Sequence, residues 1–166
     1  MYYVFIQQLL SGTRTPQCLT RQIFALSQNK NIRTLKKIYL LVHLDNIAGG
    51  HWTFISISLG TQTIISYHDS IWTLNFYFER LKEPLAAFLG ILGISNISSH
   101  YAMVPQQEDG CSCGIFTIAG ILAHVHNTPI FEFHTGHVAC CRANLLRSII
   151  ECKLIIHHSL VSCSPQ

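Results

Sequence analysis

Charge is what this chain has least of. Asp, Glu, Lys and Arg together make up 11% of its 166 residues, and the net charge is only +3. Lys and Arg gather nowhere into a patch or stripe, so the footprint that a phosphate backbone requires is missing and nucleic-acid binding is not supported. Long apolar runs are missing too, although 49% of the residues are apolar. The longest windows, 38–44 and 85–94, fall far short of the roughly 20 residues a helix needs to cross a bilayer, so no membrane span is expected. The opening Met1-Tyr2-Tyr3-Val4-Phe5-Ile6 has no basic region before its apolar stretch and no small-residue cleavage site, and reads as a strand or a shortened start, not as a secretory signal.

Paired Cys-x-x-Cys units are also lacking. The ten histidines, among them His124, His126, His134, His137, His157 and His158, have no closed ligand spacing around them, so no metal and no other cofactor is expected. The seven cysteines stand at 18, 111, 113, 140, 141, 152 and 163, odd in number and irregular in spacing. Without a secretion signal they read as reduced thiols, with the neighbours Cys140 and Cys141 as inert helix residues. No internal repeat or low-complexity segment interrupts the chain. These absences leave one intracellular domain over 1–166, of nucleus or cytoplasm, with 153–166 expected as a frayed tail. A chain of this size buries about two-thirds of its unfolded surface. So apolar a composition with so little charge points to exposed hydrophobic surface, as a missing partner segment would leave.

Hydrophobic patterning supplies the elements. Residues 13–28 and 31–37 read as loop and short helix, and 38–44, rich in β-formers, as a buried strand. Residues 52–59 alternate Trp52, Phe54, Ser56 and Ser58 with Thr53, Ile55, Ile57 and Leu59, Gly60-Thr61-Gln62 turns the chain, and 63–68 returns, so the two segments read as a hairpin. An antiparallel pair sets His51 at the start of one strand beside Asp69 at the finish of the other. Residues 72–92 read as a helical region interrupted near Pro84, 100–104 as a short strand, 113–126 as a helix apolar nearly all round, and 138–152 as a last amphipathic helix.

The segment Pro105-Gln106-Gln107-Glu108-Asp109-Gly110-Cys111-Ser112-Cys113-Gly114 carries the chemistry. It is a polar turn that delivers a cysteine to the start of an apolar helix, where unpaired amides and the positive dipole end favour the thiolate. A nucleophilic thiol needs a base, a group that orients the base, and donors for the oxyanion. Cys113 fits the nucleophile, His51 the base, Asp69 the orienter, and Gln107, six positions before Cys113, an amide donor acting with the Cys113 backbone N–H. Taken singly, His51 is a loop histidine beside a structural Trp52, and Asp69 a turn residue capping 70–72. Their occurrence in order with Gln107 and Cys113 is what favours the catalytic reading.

In that order the residues resemble the Ulp-type cysteine proteases, which process and remove SUMO and related ubiquitin-like proteins. The likeness rests on His51-Trp52 at a strand start, Tyr67-His68-Asp69-Ser70 at the end of the next strand, and Gln107 followed six residues later by Cys113-Gly114; it spans about 38–150. It implies an α+β, papain-like fold: a central, mostly antiparallel sheet flanked by helices, with the nucleophile at the N-terminus of a buried helix. It also implies cleavage at the C-terminal tail of a SUMO-like modifier, no cofactor, and a Trp52 that walls a narrow channel for Gly-Gly ends. The chain departs from the family in having Ser112 where Asp usually precedes the nucleophile, and a second thiol at Cys111, whose matching step would fall on Pro105. Few residues precede His51, so the docking half is expected to be abbreviated. A degenerate protease-like binding module, or a thiol acyltransferase sharing the arrangement, stays open beside the peptidase.

Overall fold

The computed structural model describes residues 3–5, 35–44, 50–71, 76–129 and 132–151. The expectations for 13–28, for most of 31–37, and for the tail at 153–166 lie outside them. Five strands are described, β1 Tyr3–Phe5, β2 Lys37–Leu44, β3 His51–Ser58, β4 Thr63–His68 and β5 Ile97–Tyr101, in the spatial order β1-β2-β3-β4-β5. Both central ladders, β2 with β3 and β3 with β4, are antiparallel, and both edge ladders are parallel. The expected hairpin is therefore present, closed by the turn at Gly60-Thr61-Gln62. Three α-helices are described with them, in an α+β arrangement: α1 Phe76–Ile91, α2 Cys113–His126 and α3 Val138–Ile150.

The pleat divides the sheet into two faces. Ile38, Leu40, Val42 and Leu44 of β2 stand beside Ile57, Ile55, Thr53 and His51 of β3, and their apolar members form the main core with Phe78, Leu81, Leu85, Phe88 and Leu89 of α1. On the other face Tyr39 and Phe54 meet Ile121 of α2. Helix α2 is covered in turn by α3, through Phe116, Ala119, Val138 and Cys141 with Phe133. This is why α2 reads as apolar nearly all round: it has a sheet on one side and a helix on the other.

Two boundaries differ from the pattern reading. Pro84 does not interrupt the second helical region; α1 runs through it from Phe76 to Ile91. A proline in a helix interior removes a hydrogen bond and crowds the preceding turn, but here Leu81, Leu85, Phe88 and Leu89 are fully buried on the same face, and their burial outweighs the local penalty. The strand expected at 100–104 lies instead at Ile97–Tyr101, paired in parallel with β4. The Ala102 amide makes one last bond to the Tyr67 carbonyl, and the chain then leaves the sheet because β4 has ended. The reading of all cysteines as reduced thiols also changes: Cys111, Cys113 and Cys141 are free, but Cys140 is disulfide-bonded, a pairing that irregular spacing gives no way to foresee.

Helix α2 approaches the sheet closely because Gly120 has no side chain. A Cβ there would stand 2.7 Å from Phe54 Cε1, and the Phe54 ring is itself stacked on His68 at 4.2 Å. Gly120→Ala should therefore destabilise the fold by about 1–3 kcal/mol, the usual range for overpacking, even though alanine is the better helix former by roughly 1 kcal/mol. Denaturant unfolding measures this; a variant as stable as the wild type would show that α2 does not depend on that contact.

Candidate active site

Cys113, His51 and Asp69 converge at one end of the sheet. Cys113 is the first residue of α2, His51 the first of β3, and Asp69 follows the last residue of β4. All three are buried, His51 at 2%, Asp69 at 4% and Cys113 at 7% exposure. The antiparallel register pairs Phe54 with His68, so the start of β3 and the chain leaving β4 lie side by side. Across that gap His51 Nε2 stands 2.7 Å from Asp69 Oδ1. The ring's remaining nitrogen, Nδ1, is left for Cys113, with which His51 shares a hydrogen bond.

The Asp69 carboxylate is fully engaged. Oδ1 also accepts from the Ile71 amide at 2.8 Å, closing a tight local turn, and Oδ2 accepts from the Tyr67 hydroxyl at 2.7 Å. Burial and the neighbouring carboxylate push the Tyr67 phenol up, so it stays a donor. With three donors in place, the carboxylate can rotate little and holds the His51 ring with it.

Electrostatics bias the pair toward separated charge. Burial works to lower the His51 pKa, but its hydrogen bonds to Asp69 and Cys113 and the charges on both overrule it and raise the ring to about 9. Cys113 moves the other way: the His51 hydrogen bond, helped by the backbone amides of Trp52 and Gly114, holds the thiol below its ordinary value against burial. A thiol lowered beside an imidazole raised favours the thiolate–imidazolium pair over the neutral thiol and ring.

Cys111 is placed differently. It is exposed, in the turn before α2, and its carbonyl accepts from Arg142 Nη2 at 3.2 Å. The thiol brought to His51 is that of Cys113. Trp52 is half-buried: its ring lies 4.4 Å from that of His43, its Cδ1 is 3.7 Å from where a Gly114 Cβ would be, and its carbonyl accepts from Thr117 Oγ1 at 3.0 Å. Its indole therefore stands over the helix start that carries the thiol. Gln107 lies in the loop between β5 and α2, its Oε1 accepting from Ser70 Oγ at 2.6 Å and its Nε2 donating to the Asp109 carbonyl at 2.6 Å. An amide nitrogen has two hydrogens, so one remains to meet an oxyanion.

Sequence reasoning overlooked the residues that join these parts. Gln106 Nε2 donates to the carbonyls of Asp69 at 3.1 Å and Val104 at 3.0 Å, strapping the orienter's turn to the loop before α2. Tyr67, Ser70 and Asp109 are likewise connectors; they stand within the segments singled out in the sequence, but no role was read for them there. His68 lies on the opposite face from Tyr67, stacked on Phe54 with Nε2 2.9 Å from Ser56 Oγ, and burial drives its pKa down to about 3. A ring held neutral at every working pH cannot exchange the thiol's proton. Of the other histidines, His124 packs edge-on to His68, while His134 and His137 each turn Nδ1 to a backbone amide in the short turn before α3.

The family model described as the Ulp1 protease family, C-terminal catalytic domain, matches residues 17–151. Among curated proteins none matches. Of solved structures, the C-terminal Ulp1 protease domain in complex with Smt3, the yeast ortholog of SUMO, is similar with a TM-score of 0.66 at 20% identity, covering 90% of this chain and 68% of that one. The central domain of a Legionella pneumophila protein is similar at TM-score 0.52 and 16% identity, over 97% of this chain and 88% of that one. The Rickettsia bellii effector RickCE reaches TM-score 0.51 at 17% identity, over 69% of this chain and 44% of its own.

The charge-separated pair is open to measurement. Alkylation of Cys113 by iodoacetamide should stay fast well below the ordinary thiol pKa and fall only when the lowered thiol protonates. His51→Ala should move that profile toward higher pH, Asp69→Asn should move it less, and His68→Ala should leave it in place. A profile shifted by His68→Ala and untouched by His51→Ala would mean that the partner of the thiol is misassigned.

Proposed function

The chain belongs to the Ulp1 protease family, within its C-terminal catalytic domain, and on that footing we propose that it is a thiol peptidase and isopeptidase that cuts at the C-terminal tail of a SUMO-like, ubiquitin-like modifier. The observation that carries this reading is the continuous hydrogen-bonded series from Asp69 through His51 to Cys113 at the N-terminus of α2. The likeness to a protease domain in complex with a SUMO ortholog supports the choice of modifier.

The chemistry follows from the positions. The Cys113 thiolate adds to the carbonyl of the modifier's terminal glycine, and the carbonyl electrons move onto oxygen. That oxyanion is met by the Cys113 backbone N–H and the uncommitted Nε2 hydrogen of Gln107. Collapse of the intermediate expels the amine, which takes the proton from His51 Nδ1, leaving a thioester on Cys113. Water then enters, His51 accepts its proton, and hydrolysis releases the carboxylate and restores the thiol. Asp69 keeps Nδ1 aimed throughout by holding Nε2. Trp52, over the helix start, narrows the approach so that glycine, without a side chain, is the residue that passes. The same reading proposes the nucleus or cytoplasm as its compartment.

The assay uses a panel of ubiquitin-like proteins, each ending in an electrophile or a fluorogenic amide. Labelling and turnover should occur with a SUMO-like member and vanish in Cys113→Ala, while Cys111→Ala keeps most of the activity. Binding to the modifier without labelling would replace the peptidase with a binding module, and labelling that depended on Cys111 would move the nucleophile. Gln107→Ala should lower turnover by roughly 10²- to 10³-fold, the loss that follows removal of one oxyanion donor, with little change in KM; a pure KM defect would remove Gln107 from that role.

A further inference from the structure

The turn that holds the base and the loop that holds the oxyanion donor are bonded into one unit, and the residues that bond them are not among those assigned above. The Gln107 backbone N–H donates to the Ser70 carbonyl at 3.0 Å, the Ser70 hydroxyl donates back to the side-chain Oε1 of Gln107 at 2.6 Å, and Ser70 is buried at 6% exposure immediately after Asp69. At the other end of the side-chain amide, Nε2 donates to the Asp109 carbonyl at 2.6 Å. The Asp109 carboxylate then gathers the turn that precedes α2: Oδ1 accepts from the amides of Cys111 at 3.0 Å and Ser112 at 2.8 Å, and Oδ2 from the Ser112 hydroxyl at 2.6 Å.

We propose that Ser70 and Asp109 are positioning residues that fix which end of the Gln107 amide faces the reacting carbonyl. The proposal rests on the reading of Gln107 as an oxyanion donor. A glutamine amide can present either its oxygen or its NH₂ group, and a free side chain would sample both. Here the choice is made at one end and held at the other. The Ser70 hydroxyl, which can donate or accept, donates to the amide oxygen and so anchors the orientation that Asp109 selects. Asp109 supplies a backbone carbonyl, which only accepts, so a reversed amide would set two carbonyl oxygens within 2.6 Å of each other. The amide nitrogen is thereby kept on the side of the loop that leads to the nucleophile. Through its carboxylate, Asp109 also fixes Cys111 and Ser112, the two residues before Cys113. Ser112, which stands where the resembling proteases carry Asp, contributes a hydroxyl to a carboxylate placed three residues earlier.

A double-mutant cycle tests this, with Ser70→Ala, Gln107→Ala and the pair compared on kcat and KM for a ubiquitin-like fluorogenic amide. Binding of a Gly-Gly peptide aldehyde, whose thiol adduct places an oxygen in the oxyanion site, and alkylation by iodoacetamide, which forms no oxyanion, are measured alongside. Ser70→Ala should lower kcat and aldehyde affinity by about tenfold, less than loss of the donor itself, with KM and the alkylation rate changed by under about twofold. In the Gln107→Ala background the same change should cost under about twofold more, because its effect passes through Gln107. Ser70→Thr, which keeps the hydroxyl, should recover most of what Ser70→Ala loses, and Asp109→Asn, which keeps an acceptor for both amides, most of what Asp109→Ala loses. A full additional loss in the Gln107→Ala background, or an equal loss of alkylation, would mean that Ser70 acts on the turn at Asp69 and would overturn the proposal. If Gln107→Ala alone left kcat and aldehyde binding intact, the oxyanion role of Gln107 would fail, and the positioning role with it, while Cys113 chemistry would stand. Alkylation without turnover or aldehyde binding by the wild type would instead bring down the peptidase reading on which both depend.

Discussion

The hydrogen bond between His51 and Cys113 sets the terms for the rest of the molecule. It joins the first residue of a strand to the first residue of a helix that is more than sixty positions later in the chain, and the helix must cross the sheet at a fixed height for the two to meet. Gly120 lets α2 settle onto Phe54, and the Thr117 hydroxyl ties α2 to the Trp52 carbonyl at 3.0 Å, one residue from His51. Lifting the helix by one side chain's width would break the bond without touching either partner. The opposite face carries no such demand: α1 lies on an apolar surface whose residues are chosen by volume, and that core serves to keep β2, β3 and β4 in register.

Two buried histidines on neighbouring strands show how the surroundings assign a role. His51 and His68 are both nearly inaccessible, at 2% and 4%, and burial alone lowers the pKa of either. His51 has a carboxylate on one nitrogen and a thiol on the other, both able to carry negative charge, and it rises to about 9. His68 has a serine hydroxyl, the face of Phe54 and the edge of His124, none of which repays a positive charge, and it falls to about 3. The first can hold a proton at neutral pH and pass it on; the second is a polar filler in the contact between sheet and helix. A single residue's difference in register separates them, since His68 and Asp69 are neighbours that leave β4 on opposite sides.

That alternation is also why much of the candidate site's geometry was legible from residues alone. Period-two patterning located the hairpin, and antiparallel pairing then placed His51 beside Asp69 without any knowledge of distance. The run from Cys113 to His126, apolar all round, could only be a covered helix, and its first residue follows from where the polar turn stops. Less local features were not readable. Pro84 argues for a break that burial overrides, and the end of β5 is decided by where β4 ends, which no pattern within 97–104 records. The bonds made by Ser70, Gln106 and Asp109 join positions up to 37 apart, and serine, glutamine and aspartate in turns have many other uses. Such residues become visible only when the two turns are seen to touch.

The start of α2 shows how one helix end serves two negative charges. A helix N-terminus offers a few unpaired amides and a positive dipole end, and both a carboxylate and a thiolate gain by sitting there. Were they to share the same donors, the carboxylate would oppose formation of the thiolate. The donors are divided instead. Asp109 takes the amides of Cys111 and Ser112 and the Ser112 hydroxyl, all ahead of the helix, and those bonds, the hydroxyl's foremost, hold its carboxyl below the usual range. Ser112, at the N-cap, makes no side-chain bond to the first turn. The Gly114 amide, inside that turn, is thereby left to the Cys113 sulfur, together with the Trp52 amide arriving from the sheet. An Asp109 carboxylate satisfied before the helix begins can stabilise the turn while leaving the lowered thiol pKa to His51 and these two amides.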